Sequence, residues 1–143
     1  MTKATELDAA LQARLSAITK AGGYLTDVVK VYGPLDKIKD RDPTPYIQYR
    51  MVRDGRADTA GRQVLRRREY AIEVTFSKGA SAAELDGAQV DVLRALGFYE
   101  PDVDKRFPGL DDEEDEAEPQ YPVDGVTTMR LIISIAVLYT QTY

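Results

Sequence analysis

The stretch Glu69–Phe76, with the sequence EYAIEVTF, decides the fold of this chain. Its apolar side chains occupy every second position, and the residues between them are polar or small. One face therefore carries Tyr70, Ile72, Val74 and Phe76, and the other carries Glu69, Ala71, Glu73 and Thr75. This period of two is typical of a β-strand that is buried on one side. Such a strand needs neighbours in a sheet and a second layer that covers its apolar face.

Segments before this strand predict two further strands. Val28–Tyr32 is rich in β-branched and aromatic residues and is followed by Gly33-Pro34, which stops a strand. Tyr46–Val52 alternates in the same way and predicts the first strand of a long hairpin. The polar segment Asp54–Gly61 predicts the turn of that hairpin. Arg66, Arg67 and Arg68 are then expected at the outer end of the next strand, beyond the core.

The last segment, Thr127–Thr140, predicts a fourth strand. Leu131, Ile133 and Ile135 face one way, while Ile132 and Ala136 face the other. Apolar residues on both faces predict a central strand, or one that a neighbouring subunit covers.

Two segments predict helices. The first is Glu6–Ala21, capped by Thr5 and ended by Gly22 and Gly23, with apolar residues on one face. The second begins after Ser81, where Glu84 completes a capping box, and ends at Gly97. Its apolar stripe is formed by Leu85, Ala88, Val92, Leu93 and Leu96.

The order α-β-β-β-α-β predicts an α+β fold. We expect one domain over residues 1–143, with a four-stranded antiparallel or mixed sheet and two helices packed on one of its faces. A chain of 143 residues, 43% of them hydrophobic, is long enough for a real core.

Charge is sorted along the chain into one basic and one acidic block. The hairpin 50–68 has a net charge of +5 and contains Arg50, Arg53, Arg56, Arg62, Arg66, Arg67 and Arg68. The long segment 98–124 has a net charge of −9 and predicts a loop whose centre contains Asp111, Asp112, Glu113, Glu114, Asp115, Glu116 and Glu118. Sorted charge of this kind favours association with copies of the same chain or with another charged body.

The composition argues against several function classes. The chain has no cysteine and no histidine, which removes disulfides, thiolate metal sites and the commonest general base. No phosphate-binding glycine loop or nucleophile motif is present, and the acids lack the spacing of a calcium-binding EF-hand. We therefore expect no enzyme activity, no cofactor and no metal site. Leu131–Tyr139 is too short to span a membrane, so no membrane association is expected.

The basic and acidic blocks each allow several interpretations. The arginines could form a solvated surface, contact acids of a protein partner, or bind the phosphates of a nucleic acid. The acidic segment could be a self-repelling loop, a weak cation site, a surface that repels DNA, or the partner of the arginines in a neighbouring copy.

The order of these features also resembles a known family. The features that carry the resemblance are an amphipathic N-terminal helix, the arginine-rich hairpin, a C-terminal strand, and the segments Ala21-Gly22-Gly23-Tyr24, Thr26-Asp27-Val28, Pro45-Tyr46-Ile47, Tyr70-Ala71-Ile72-Glu73-Val74 and Leu93-Arg94-Ala95-Leu96. Together they make the chain similar to the tail terminator proteins of long-tailed bacteriophages, of the minor-tail-protein-U type. The resemblance covers nearly the whole chain, although the acidic stretch is not a family hallmark.

This resemblance implies a structural role in the virion. Tail terminators form a ring, usually a hexamer, at the head-proximal end of the tail tube, and the protein would be made and assembled in the host cytoplasm. The ring stops tube polymerisation and offers a docking face to the head-tail connector or stopper protein, while DNA passes through the lumen without specific binding. The implied partners are therefore other copies of the chain, the tail tube protein and the connector.

Two other functions remain open from the sequence. One is a head-tail connector or neck protein, and the other is a small nucleic-acid-binding module that uses the arginine-rich hairpin. For a ring, we expect Arg66, Arg67 and Arg68 to contact acids of the Asp111–Glu118 run in the next subunit or in the adjacent ring. An alternative placement has the acidic loop lining the lumen.

Overall fold

The computed structural model describes residues 2–39, 41–112, 115–121 and 128–143. Five strands form one mixed sheet, and two helices cover one of its faces. The elements in chain order are α1 (Lys3–Ser16), β1 (Lys30–Tyr32), β2 (Tyr46–Ala60), β3 (Gln63–Ser77), α2 (Ala82–Leu96), a single 3₁₀ turn (Val103–Lys105), β4 (Glu116–Gln120) and β5 (Thr128–Thr142). The α+β class predicted from the sequence is confirmed.

The strands lie in the order β1-β2-β3-β5-β4, so β3 and β5 are interior strands. β1 is parallel to β2, and all other neighbouring strands are antiparallel. β3 and β5 pair over their whole length, from Gln63 opposite Thr142 to Ser77 opposite Thr128. The central place predicted for the last strand is confirmed.

The hydrophobic core lies between the sheet and the two helices. The apolar face predicted for β3 is fully buried, and its residues pair in register with apolar residues of β5, such as Ile72 with Ile133. Leu7, Leu11 and Leu15 of α1 and the apolar stripe of α2 pack on this same face. The other face of the sheet is not covered by the two helices and is called the open face below; it mixes charged and polar side chains with small and apolar ones such as Ala136 and Ile132. Arg50, Ser134 and Glu116 lie on it in one row across the sheet.

The predicted bounds of the first helix are wrong at both ends. Thr2, and not Thr5, caps α1 by accepting a hydrogen bond from the backbone of Thr5. The helix ends at Ser16, because the carbonyl of Ile18 already accepts a hydrogen bond from Val28 and so draws the chain back toward the sheet. The second helix was predicted correctly, including the Ser81–Glu84 capping box and the left-handed Gly97 at its end.

The strand bounds before β3 also differ from the prediction. β1 contains only Lys30–Tyr32, and β2 continues to Ala60, through the segment predicted as a turn. The turn itself is Gly61-Arg62, with Gly61 in the left-handed region at φ 64°. The polar residues of Asp54–Gly61 gave no strand signal, because the part of the sheet that extends beyond the core has no apolar face to bury.

The sheet has five strands and not the predicted four, because part of the predicted acidic loop forms a strand. Within the segment 98–124, Glu116–Gln120 forms β4, which pairs antiparallel with β5 at the edge of the sheet. Gly109, with φ 74°, also lies against β5, so close that a Cβ atom there would be 1.9 Å from the carbonyl oxygen of Leu138. Glu113, Glu114 and the predicted start of the last strand at Thr127 lie outside the described residues.

Among the described residues, no helix is both long enough and apolar enough to cross a membrane.

Candidate interaction surfaces

The basic residues lie on an arm that extends beyond the core. The arm consists of the distal halves of β2 and β3 with the C-terminal half of β5 beside them. The buried residues of β2 end at Tyr49, and most of the strand beyond that point is exposed. The backbone N–H of Tyr143 donates to the carbonyl of Arg62, which ties the end of the described chain to the tip of the arm.

Arg68 is the buried centre of a charged cluster at the base of this arm. Its guanidinium donates to Oδ2 of Asp54 at 3.0 Å, to both carboxylate oxygens of Asp8 at 3.1 Å, and to the hydroxyl of Tyr70 at 2.8 Å. Only 10% of its side chain is exposed. Burial would lower the pKa of Arg68, but the hydrogen bond with Asp54 and the contacts with Tyr70 and Asp8 outweigh burial and raise the pKa.

The carboxylate of Asp54 accepts hydrogen bonds from three side chains, two on β3 and one on β5. It accepts hydrogen bonds from Arg66 at 2.6 Å and from the hydroxyl of Tyr139 at 2.5 Å, in addition to the bond from Arg68. Burial alone would raise the pKa of Asp54; the hydrogen bonds from Tyr139, Arg66 and Arg68 outweigh it and hold the pKa below its ordinary value. The arm is thus tied to α1 and to β5 through side chains whose charges already compensate one another.

This geometry corrects the placement of Arg66, Arg67 and Arg68. They lie inside β3, next to its first core residue Tyr70 and not at the tip of the strand, and each has an acid of its own chain within ion-pair distance. Arg67 pairs with Glu69 on the open face. The carboxylates of Asp8 and Asp54 were missed by the sequence analysis, because nothing local in the sequence brings α1 against β2 and β3.

The remaining basic candidates are exposed. They are Arg50, Arg53, Arg56 and Arg62. Arg53 is 76% exposed and forms only a loose ion pair with Glu69, at 3.7 Å. A bulge between Met51 and Arg53 places Arg50 and Arg53 on the same open face, although they are three residues apart. The exposed positive charge therefore lies along β2.

The described acids divide between a packed group and an exposed group. Asp111 donates its backbone N–H to the carbonyl of Ala136, Asp112 forms an ion pair with Arg106 at 3.5 Å, and Asp115 accepts a hydrogen bond from Tyr99 at 3.3 Å. Glu116 and Glu118 are exposed on β4 and project from the open face, because they pair with Ser134 and Ile132.

The exposed basic candidates and the exposed acidic candidates lie toward opposite edges of the sheet. β3 and β5 separate β2 from β4, so the exposed arginines of β2 and the glutamates of β4 do not meet within one chain. Members of both groups nevertheless lie on the open face of the sheet: Arg50 and Arg53 on β2, and Glu116 and Glu118 on β4. Among the residues that the structure describes, no cluster of three or more acids has the arrangement of a metal site.

The cluster around Asp54 predicts a pH dependence of stability. Because the folded pKa of Asp54 lies below its unfolded value of about 4, its contribution is present above that pH and is lost as the pH falls through the folded pKa. We expect Asp54→Asn to lower the free energy of unfolding by about 2 kcal/mol at pH 7. The difference from the wild type should shrink toward pH 3 in urea unfolding.

Asp58→Asn is the matched control for this prediction, since Asp58 lies on the same strand and is exposed. Its effect should stay within about 0.5 kcal/mol at both pH values. A difference between wild type and Asp54→Asn that is equally large at pH 3 and pH 7 would show that the Asp54 carboxylate is not the titrating group.

No protein-family model matches this chain, and no curated protein matches it significantly.

Proposed function

We propose that this protein is a structural virion protein that forms a ring at the head-proximal end of a bacteriophage tail tube. In the ring, one side of each copy contacts a different side of the next copy, which is a head-to-tail arrangement of subunits. In this role the ring stops tube polymerisation and provides the docking face for the head-tail connector. The proposal combines the resemblance in element order with the distribution of charge over the sheet.

The observation that carries the proposal is the position of the two exposed charged groups. A ring needs a heterologous contact, in which one side of each copy meets a different side of the next. The basic strand β2 and the acidic strand β4 lie on opposite sides of one sheet, separated by β3 and β5. Each copy therefore presents a basic side and an acidic side to its neighbours.

The buried charged cluster excludes some arginines from this contact between copies. Arg66 and Arg68 are engaged by Asp54 and Asp8, so reversing their charge would disturb the fold of the monomer. Arg50, Arg53 and Arg56 are exposed on β2 and are the arginines we assign to the contact between copies. Attraction between such groups steers association and fixes which sides meet, while each exposed pair contributes only about 0–1 kcal/mol.

The same observation bears on the nucleic-acid alternative. A phosphate-binding arm should present its cations to solvent, whereas Arg66 and Arg68 of this arm are satisfied by carboxylates of the same chain. Four exposed arginines remain along a narrow arm, and Asp58 lies among them. This arrangement suits contact with a protein surface better than contact with a nucleic acid.

Native mass and negative-stain imaging of the purified protein, at low and high salt, test the proposal first. We expect a closed ring that forms without DNA and that loosens as salt screens the charged sides. Purified tail tubes then separate the remaining functions: a terminator binds tube ends, whereas a connector binds the portal side of the head. Binding of duplex DNA with a steep salt dependence, and no ring or tube binding, would support the nucleic-acid module instead.

A triple charge reversal tests the role of β2. We expect Arg50→Glu, Arg53→Glu and Arg56→Glu together to abolish the ring and leave the monomer folded, because all three side chains are exposed. The matched control is Lys20→Glu, Lys37→Glu and Lys78→Glu, which changes the net charge equally at exposed positions outside β2. Equal loss of assembly in both variants would mean that net charge, and not the position of the arginines, controls association.

A further inference from the structure

The outer edge of β2 is largely unpaired. β1 contains three residues and covers β2 only at Tyr46, Ile47 and Gln48. From residue 49 to residue 60, no other segment among the described residues pairs with this edge. An edge strand turns the N–H and C=O groups of alternate residues outward, where they are free to pair with a strand of another chain.

The opposite edge of the sheet is also open. β4 pairs with β5 on one side, and no described residue pairs with its other side. Four of its five residues are exposed, and two of these are Glu116 and Glu118. One copy of the chain therefore carries a basic free edge on β2 and an acidic free edge on β4.

We propose that β4 of one copy adds to the free edge of β2 in the next copy, so that the sheets of neighbouring copies form one continuous sheet. This inference rests on the proposed head-to-tail assembly and specifies how its copies join. The occupant of the β2 edge is thus a second copy of this chain, and the complementary charges of the two edges identify it.

The strand directions determine how the two edges pair. β2 and β5 run in the same direction, because each is antiparallel to β3, and β4 runs opposite to both. In a head-to-tail array these directions repeat from copy to copy. β4 of one copy therefore meets β2 of the next copy as an antiparallel pair, and the open faces of both sheets lie on the same side.

The bulge in β2 specifies a register. It brings Arg50 and Arg53 onto the open face with the spacing of residues i and i+2, which is also the spacing of Glu116 and Glu118. In an antiparallel pair, Arg53 then lies opposite Glu116 of the next copy, and Arg50 lies opposite Glu118. Cross-strand neighbours of opposite charge on one face stabilise such a pair. Pro119 has no N–H to donate, so the ladder ends there, next to the position that β1 occupies.

Charge also excludes the symmetric alternatives. Pairing of β2 with β2 would place arginines against arginines, and pairing of β4 with β4 would place glutamates against glutamates. Like charges directly opposite each other destabilise a sheet. The head-to-tail pair is the one arrangement of these two edges in which each charge meets its opposite.

A charge-exchange experiment tests this contact. Variant one carries Arg50→Glu and Arg53→Glu, and variant two carries Glu116→Lys and Glu118→Lys. Each variant alone has two edges of the same sign, so we expect monomers by native mass. An equimolar mixture should restore the oligomer with the two variants in a 1:1 ratio, because each edge then meets an opposite charge. Assembly of either variant alone to the wild-type extent, or no recovery on mixing, would overturn the inference.

Disulfide trapping tests the register independently of charge. The chain has no cysteine, and Arg53 and Glu116 of one copy are three strand spacings apart, about 14 Å, which is too far for a bond within the chain. The double variant Arg53→Cys and Glu116→Cys should give a ladder of covalent oligomers on a non-reducing gel. The control, Arg62→Cys with Glu116→Cys, uses the exposed turn of the arm and should give no ladder; equal ladders, or no ladder in either, would overturn the register.

These outcomes separate the contact from the function. If wild-type protein forms rings or binds tube ends, and both tests above fail, the edge pairing is wrong and the proposed function stands. If the ladder and the charge exchange succeed but the protein does not bind tube ends, the edge pairing stands and the tail-terminator function is wrong.

Discussion

Replacing Arg68 with methionine is expected to lower the free energy of unfolding by about 3 kcal/mol. Methionine keeps much of the length and apolar volume of the side chain but removes its charge and its donors. The variant leaves Asp8 without the hydrogen bonds from Nη2 of Arg68. Asp54, which has only 13% of its side chain exposed, keeps only Arg66 and Tyr139 as side-chain donors. Breaking a buried ion pair on one side costs more than the pair contributes, because an uncompensated charge stays behind.

Urea unfolding at pH 7 measures this effect, with Arg50→Met as the matched control. Arg50 lies on the neighbouring strand of the same hairpin but is exposed, so its replacement should change stability by less than about 0.5 kcal/mol. Adding Asp54→Asn to Arg68→Met should cost less than the sum of the two single variants, since the charge left behind is removed. Additive costs would mean that the two residues are not coupled as the structure describes.

Replacing Asp91 with alanine is expected to lower the free energy of unfolding by a similar amount, about 3 kcal/mol. Asp91 lies on α2, is fully buried, and accepts the backbone N–H groups of Leu25 at 3.1 Å and Thr26 at 2.6 Å. These bonds hold the segment that links the first helix to β1 against the second helix. Alanine would leave the buried N–H of Thr26 without an acceptor and would lose two hydrogen bonds to a charged group.

Asp86→Ala is the control for Asp91→Ala, because Asp86 lies on the same helix and is exposed. Hydrogen exchange gives a second readout, since the amides of Leu25 and Thr26 should lose protection in Asp91→Ala before the amides of β3 do. Unchanged protection at these two amides, together with unchanged stability, would contradict the role assigned to Asp91.

Much of the fold follows from local sequence patterns. The alternation in Glu69–Phe76, the capping box at Ser81 and the glycine at position 97 each correspond to an element that forms as predicted. Period and capping are local properties, so they survive any tertiary arrangement that buries the apolar face. The strand β4 left no such signal, because an edge strand with the sequence EAEPQ is exposed at four of its five positions.

The candidate surfaces were only partly predictable from the sequence, because local patterns do not show which charged residues become buried. The sequence identified the arginines and the acids but did not distinguish the exposed ones from the buried ones. Asp91 did carry a weak signal: it is a charged residue three positions after Ala88, at the margin of the apolar stripe. Arg68 carried none, since its partners Asp8 and Asp54 are 60 and 14 residues away along the chain.

The sequence by itself determined the α+β class, the central place of the last strand, the second helix and the separation of charge into two blocks. Only the tertiary structure decided that Arg66 and Arg68 serve the fold and that Arg50 and Arg53 share one face. It also decided that β4 and the part of β2 that β1 does not cover lie at opposite edges of one sheet. The physical reason is that periodicity reports whether a residue faces a core, whereas the partner of a charge depends on which distant strands and helices become neighbours. Here the strand order and the bulge in β2 determine which charged residues become neighbours, and the buried cluster around Arg68 is one result. All of these features depend on contacts between residues far apart in the chain.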